Sequence, residues 1–277
     1  MSTKATRLAG SVGAPRSAPT SPTNFDRQTA AVLRSFNTWA FKREQPCDPE
    51  LLAQTVANQL ARSEPISFVL YWGKGPRATI ATPEFVCLDF LASMGARIAK
   101  THEPGARFNL CLTDTHARLN GHKQEAIDWY FDAVAEAASM RGMTSERLSQ
   151  LTQGIEPYPD GKALADTQML DSLERCAARW YRGAGDVRDG ARPDLEMNHV
   201  ESTAVAAHYR GSIFITFNGS TYRDLFPASM PVFYMYSLRR GTAVKPWFMN
   251  EHGVPYIDAD ADADANAVAH GATGGAA

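Results

Sequence analysis

Lys74 is the residue of this chain whose setting first suggests chemistry. It stands in ISFVLYWGKGPR at 66–77, where an apolar run breaks abruptly into the turn Gly73-Lys74-Gly75-Pro76. Open α/β sheets place ligands where a buried strand ends in such a turn, and an ammonium there suits a phosphate or a carboxylate. If burial lowered its pKa, the same amine would instead condense with a carbonyl. Trp72 and Arg77 flank the turn and are candidates for substrate contact. Farther along, FNLCLT at 108–113 repeats the design and ends in Asp114-Thr115-His116. A carboxylate and an imidazole at a second strand end supply acid–base groups to face the lysine across one cleft. The plain structural alternatives are a solvated loop lysine at 74 and, at 114–116, a turn that caps the next helix. His122, after Asn120-Gly121, either joins that cleft or only decorates the turn.

These residues need elements that carry them to one place, and the periodicity supplies a set. Residues 48–62 read as a helix, with Pro49 in the first turn and Leu51, Leu52, Val56 and Leu60 on one face. A strand at 66–72 follows. A second amphipathic segment at 83–102 places Phe85, Leu88, Leu91, Met94 and Ile98 at helical spacing before Pro104-Gly105 stops it, and a strand at 108–113 comes next. A strand, a long helix and another apolar strand make a crossover unit with parallel neighbours. Helices are expected at 124–140, with Ile127, Tyr130, Phe131 and Val134 inward, and at 145–153, 163–182 and 197–209. Strands are expected at 212–217 and 232–238, with a glycine-rich loop at 183–193. The fold class is α/β: a mainly parallel, Rossmann-like sheet flanked by helices, with a strand-rich C-terminal portion.

Composition narrows the functions. The chain has 277 residues, 44% of them hydrophobic, enough for a substantial core. Basic and acidic side chains number 28 and 30, for a net charge of −2, so bulk electrostatics favours neither nucleic acid nor an anionic membrane. Cys47, Cys87, Cys111 and Cys176 form no Cys-x-x-Cys pair and read as reduced thiols. Residues 1–25, rich in Ser, Thr, Ala, Gly and Pro, read as a disordered arm, and 258–277, with its Asp-Ala alternation, as a solvated acidic tail. A single α/β catalytic domain at 26–257 is expected between them, in a cytoplasmic protein without membrane spans. Its oligomeric state is open. There is no Gly-x-Gly-x-x-Gly after a strand, no phosphate loop and no Gly-x-Ser-x-Gly elbow, which argues against nucleotide enzymes and serine hydrolases.

The order of pieces resembles the isonitrile (isocyanide) synthases and their relatives in pyoverdine and dityrosine biosynthesis. The resemblance rests on EPISFVL and its lysine turn, a helix, EPGARFNLCLTD at 103–114, and the helix that holds Trp129-Tyr130. Near the C-terminus it rests on SIFITF, the strand ending in YSLRRG, and KPWF at 245–248. Together these pieces span residues 50–250. Where the family has Ser-Asp-Gly followed by Arg, this chain has Thr113-Asp114-Thr115-His116, and Phe248 replaces the family's His after Pro-Trp.

By resemblance, the chain is a divergent relative that modifies an amino acid or its amino group in a specialised-metabolite pathway. Its carbon donor would be a pentulose phosphate, and it would need neither cofactor nor metal. Lys74, Asp114 and His116 are then the catalytic candidates, with Trp72, Arg77, His122, Tyr130, Arg182, Arg239 and Lys245 around the substrate. Arg182, beside Trp180 and Tyr181, either binds an anion or stacks on those rings. Of Arg239 and Arg240, at most one can enter a cleft, because neighbours on a strand point to opposite faces. Two alternatives stay open: a metal-assisted hydrolase or lyase built on Asp114 and His116, with His122 as a further ligand, and a non-catalytic binding relative. Glu196, His199, Glu201 and His208 are too loosely spaced for a strong helix-borne metal motif.

Overall fold

The computed structural model of the protein describes residues 24–73, 76–155, 171–172, 174–175, 192–235, 238–239 and 242–243. Lys74, Arg182 and Lys245 lie outside them, as do the helix expected at 163–182 apart from four of its residues, most of the glycine-rich loop, KPWF, the arm up to residue 23 and the acidic tail.

The chain enters through α1 (Asn24–Phe36) and α2 (Pro49–Ala61), then forms β1 (Ile66–Trp72), α3 (Thr82–Ala99) and β2 (Ala106–Leu112). After β2 come α4 (Asp114–Leu119), α5 (Gln124–Ser139), β3 (Thr144–Arg147) and α6 (Leu148–Leu151). A long helix, α7 (Arg192–His208), leads to β4 (Ile213–Thr216), a 3-10 turn (Ser220–Leu225) and β5 (Val232–Tyr234). Two short strands, β6 (Leu238–Arg239) and β7 (Thr242–Ala243), pair antiparallel apart from the main sheet.

The main sheet has the order β3-β2-β1-β4-β5, and every pairing in it is parallel. Growth runs from β1 through β2 to β3, then returns to the other side of β1 for β4 and β5. The reversal leaves a crevice between the carboxyl ends of β1 and β4, the topological switch point of an open α/β sheet. The turn that opens with Gly73 leaves β1 at that crevice.

Strand alternation sorts the core into two layers. Phe68, Leu70 and Trp72 of β1, with Phe108, Leu110 and Leu112 of β2, face α1, α2, α3 and α5 in the larger cluster, where Phe68 and Phe108 stack at 5.1 Å between ring centres. Val69, Cys111, Phe214, Val232 and Tyr234 point the other way and pack with Val205 of α7. Among the described residues, no helix is long and apolar enough to cross a membrane.

The helix expected at 145–153 is a correction. Residues Thr144–Arg147 are a strand hydrogen-bonded to β2, and only Leu148–Leu151 are helical. This strand lies at the sheet edge and shows no apolar alternation, because it packs little. Its Arg147 instead pairs with Asp128 (2.6 Å) and Asp132 (2.7 Å) of α5. The strand expected at 232–238 also divides, with β5 in the main sheet and Leu238 in the separate ladder.

Candidate functional site

Three buried carboxylates stand at the carboxyl ends of β1 and β2, each held by different partners. Glu84, in the first turn of α3, is fully buried. Its carboxylate accepts the Ala81 N–H at 3.0 Å and the Tyr130 hydroxyl at 3.1 Å, and Arg77 Nε approaches to 3.5 Å. Pro83 and an acidic residue one turn into α3 suit the positive helix start, so the local sequence places this side chain without tertiary help. Trp72, Arg77 and Tyr130, expected around the substrate, thus meet around a carboxylate that was not singled out in the sequence. Trp72 itself is fully buried. Its indole N–H has no hydrogen-bond partner within bonding geometry, although it bears on the Tyr130 oxygen and opposes the rise of that phenol's pKa. Burial and the Glu84 charge push Tyr130 well above the usual tyrosine range, so its hydroxyl stays a donor at every physiological pH.

Gly73 begins the turn after β1 with φ of +112°, a conformation that side chains resist. A Cβ there would stand 3.2 Å from Thr113 Oγ1 and 3.3 Å from Phe131 Cε1. Thr113 closes the same corner by donating its backbone N–H (3.2 Å) and hydroxyl (3.0 Å) to the Trp72 carbonyl. The ends of β1 and β2 are therefore locked together where the chain leaves β1 at Gly73.

Asp114, 1% exposed, is the second carboxylate. It accepts the Ser149 N–H at 3.0 Å, the Ser149 hydroxyl at 2.5 Å and Arg118 Nη2 at 3.1 Å. Both oxygens are thus engaged in fastening the start of α4 to α6.

The third is Glu201 on α7, also fully buried. Thr115 donates its hydroxyl to Oε1, and His116 Nε2 lies 2.7 Å from Oε2. His116 keeps 27% of its side chain exposed, so the pair has a buried carboxylate behind and a reachable imidazole in front. Such a carboxylate fixes the orientation of the ring, the geometry a general base needs. Tyr71 lies on the same side of the sheet. Its hydroxyl is buried without a partner among the described residues, and burial, the Glu201 charge and Cys111 push its pKa well up. Beside Thr115 and Glu201 opens a cavity of about 310 Å³ with Leu119, Ile155, Met197 and Val200 in its walls.

The remaining candidates scatter. His122 is exposed in the connection between α4 and α5, and Arg239 lies in β6, outside the main sheet. Glu196, His199, Glu201 and His208 do not converge: Glu201 reaches His116, whereas His208 reaches Glu146 at 3.2 Å. No group of three His, Cys, Asp or Glu side chains suited to a metal occurs among the described residues. Glu84 was legible as an acidic residue in the first turn after Thr82-Pro83, a helix-start signal rather than a chemical one. Glu201 had no local signal, since its partners are far away in sequence.

Strand order, all-parallel pairing and a crevice at the switch point define a doubly wound α/β protein with its candidate site at the carboxyl ends. Among solved structures, the chain is similar to the PvcA protein from Pseudomonas aeruginosa, with a TM-score of 0.55 and 17% identity over 74% of this chain and 83% of that one. The fold is therefore shared with this solved protein. A looser likeness, with a TM-score of 0.43 and 13% identity, is to a tyrosyl-tRNA synthetase complexed with L-tyrosine from Archaeoglobus fulgidus, over 76% of this chain and 63% of that one. No protein-family model matches the chain, and no curated protein matches it in sequence.

Proposed function

We propose that the chain is a biosynthetic enzyme of the isonitrile-synthase kind, acting on the amino group of an amino acid or an aminoacyl group. The observation that carries this reading is the PvcA-like sheet, whose switch point coincides with the turn that opens at Gly73. Lys74 follows in that turn and supplies the cation for a phosphate or carboxylate. Arg77, steadied by Glu84, adds a second positive charge nearby. An amine that gains a carbon must shed protons, and His116 backed by Glu201 is the group able to take them. The cavity beside Thr115 has apolar walls suited to the amino acid's side chain. A pentulose phosphate is the proposed carbon donor, and the cytoplasm the proposed location.

The test incubates the purified chain with the proteinogenic amino acids, with and without ribulose 5-phosphate, and follows mass. A one-carbon gain that requires the sugar phosphate is the expected result, with turnover falling at least about a hundredfold in Lys74→Ala and in His116→Ala. Full activity in both variants would remove the cleft from the chemistry. Turnover without the sugar phosphate would replace the proposed carbon donor.

A further inference from the structure

The opposite end of the same sheet carries a polar platform that the reading above does not use. Ser67 of β1 lies in register with Arg107 of β2, and Asn109 of β2 with Thr144 of β3. Ser212, just before β4, bonds to Ser67 across the sheet at 2.8 Å. Farther along the strands this face turns apolar, with Val69, Cys111 and Phe214. At its amino end this face gathers polar side chains, and they line a cleft of about 580 Å³.

The platform's bonds leave donors over. Thr144 donates to Asn109 Oδ1 at 2.7 Å, and Asn109 Nδ2 donates to the Phe68 carbonyl at 2.8 Å and to Ser67 Oγ at 3.3 Å. Ser67 and Ser212 share one hydrogen bond between two hydroxyls, so one O–H remains free to point into the cleft. The two carboxylates along the rim each have a partner through one oxygen. Glu64 pairs with Arg62 at 2.8 Å, and Glu146 accepts the Tyr209 hydroxyl at 2.5 Å and meets His208 at 3.2 Å. Arg107 and Arg210 line the cleft and have no ion pair among the described residues. The lining therefore offers two guanidinium groups without an ion pair among the described residues and a spare hydroxyl donor.

We infer that this cleft is a second binding site, specific for a small oxyanion, phosphate or carboxylate, held between Arg107 and Arg210 over the Ser67–Ser212 pair. Ser67 and Trp72 are five residues apart on one strand, about 17 Å. One small ligand cannot span both ends, so this site is separate from the carboxyl-end cleft.

Calorimetric titration of the full chain at low ionic strength, with inorganic phosphate in one arm and succinate in the other, tests the inference and identifies the preferred oxyanion. Saturable binding of at least one anion is expected, weakened about tenfold or more by Arg107→Gln and by Arg210→Gln, because each removes a charge-assisted bond. Arg62→Gln, whose partner is Glu64, should leave affinity within about twofold. Both key arginines are exposed, so their variants should retain the wild-type circular dichroism spectrum. Lys74→Ala should leave the binding step that depends on Arg107 and Arg210 in place, whatever it removes at the other end of the sheet. Absence of saturable binding in both arms would overturn the site. So would binding that survives in the Arg107→Gln/Arg210→Gln double variant and is lost in Lys74→Ala. Turnover plays no part in these readouts, so the site stands or falls independently of the proposed reaction.

Discussion

Glu84 gives the sharpest test of how the carboxyl-end cleft is held, because two substitutions there should part company. Glu84→Leu keeps most of the volume but strands the Ala81 N–H and the Tyr130 hydroxyl, the latter on a residue only 3% exposed. Each stranded donor costs about 1–3 kcal/mol, with Ala81 at the lower end because water can reach it. Arg77 is partly exposed and can turn to solvent, so its lost pairing adds little. Removing a buried charge works in the other direction, but only one partner is removed, and the stranded groups should outweigh that relief. The net loss for Leu is about 2–4 kcal/mol. Glu84→Gln can instead keep both bonds, its carbonyl accepting from Ala81 and its amide donating to the Tyr130 oxygen, for a loss near 1 kcal/mol. Urea unfolding monitored by tryptophan fluorescence should separate the variants, and the midpoint of thermal unfolding should move by about 2–4 °C per kcal/mol. Tyr130→Phe in the Glu84→Leu background should recover part of the loss, because it deletes one stranded group. Equal destabilisation by Leu and Gln, or a Leu variant within about 0.5 kcal/mol of wild type, would refute this account of the cluster.

Three further outcomes follow from the same geometry. Gly73→Ala forces a side chain into φ +112° against Thr113 and Phe131, and should cost about 1–3 kcal/mol in urea unfolding; a neutral result would mean that the corner between β1 and β2 is loose. Tyr71→Phe should be neutral or stabilising by up to about 1 kcal/mol, since the buried hydroxyl has no partner among the described residues, and a loss above 1 kcal/mol would reveal one. Alkaline stability carries a sign. Burial raises the pKa of Cys87, Cys111, Tyr71 and Tyr130, so above their unfolded values the native state holds more protons than the unfolded chain, and stability falls as pH rises. The two thiols alone, with an ordinary value of 9.0, should remove up to about 3 kcal/mol by pH 10, with the tyrosines adding above that; flat stability from pH 8 to 10.5 would contradict the burial.

The sheet was legible wherever a strand is buried on both faces. ISFVLYW and FNLCL are near-continuous apolar runs, and the helix between them has the period that a crossover requires, so β1, α3 and β2 follow from pattern alone. The strand at 144–147 was not legible, because TSER at the sheet edge earns its place through backbone bonds to β2 and ion pairs to α5, neither of which leaves an apolar rhythm. In the site, sequence signals located strand ends but not what packs behind them. Trp72, Arg77 and Tyr130 were legible as neighbours of the lysine turn or of a family motif, yet Glu84, which joins Arg77 to Tyr130, was not singled out. Glu201 was weighed with its helix neighbours as a weak metal motif, whereas its partners Thr115 and His116 come from β2's carboxyl end.

That pairing bears on the departure from the family pattern at 113–116. An arginine at position 116 would need no partner to stay charged, whereas an imidazole near neutral pH takes its charge from its surroundings. Here the ring meets the buried Glu201, 2.7 Å from Nε2, and the neighbouring Thr115 hydroxyl donates to the other oxygen of that carboxylate. Thr115, His116 and Glu201 are therefore held together as one hydrogen-bonded unit. Asp114, by contrast, spends both oxygens on Ser149 and Arg118, which positions the turn without leaving a lone pair in easy reach of substrate. Of the two residues expected to face the lysine turn, the histidine has the exposure for contact and the aspartate has the bonds for support.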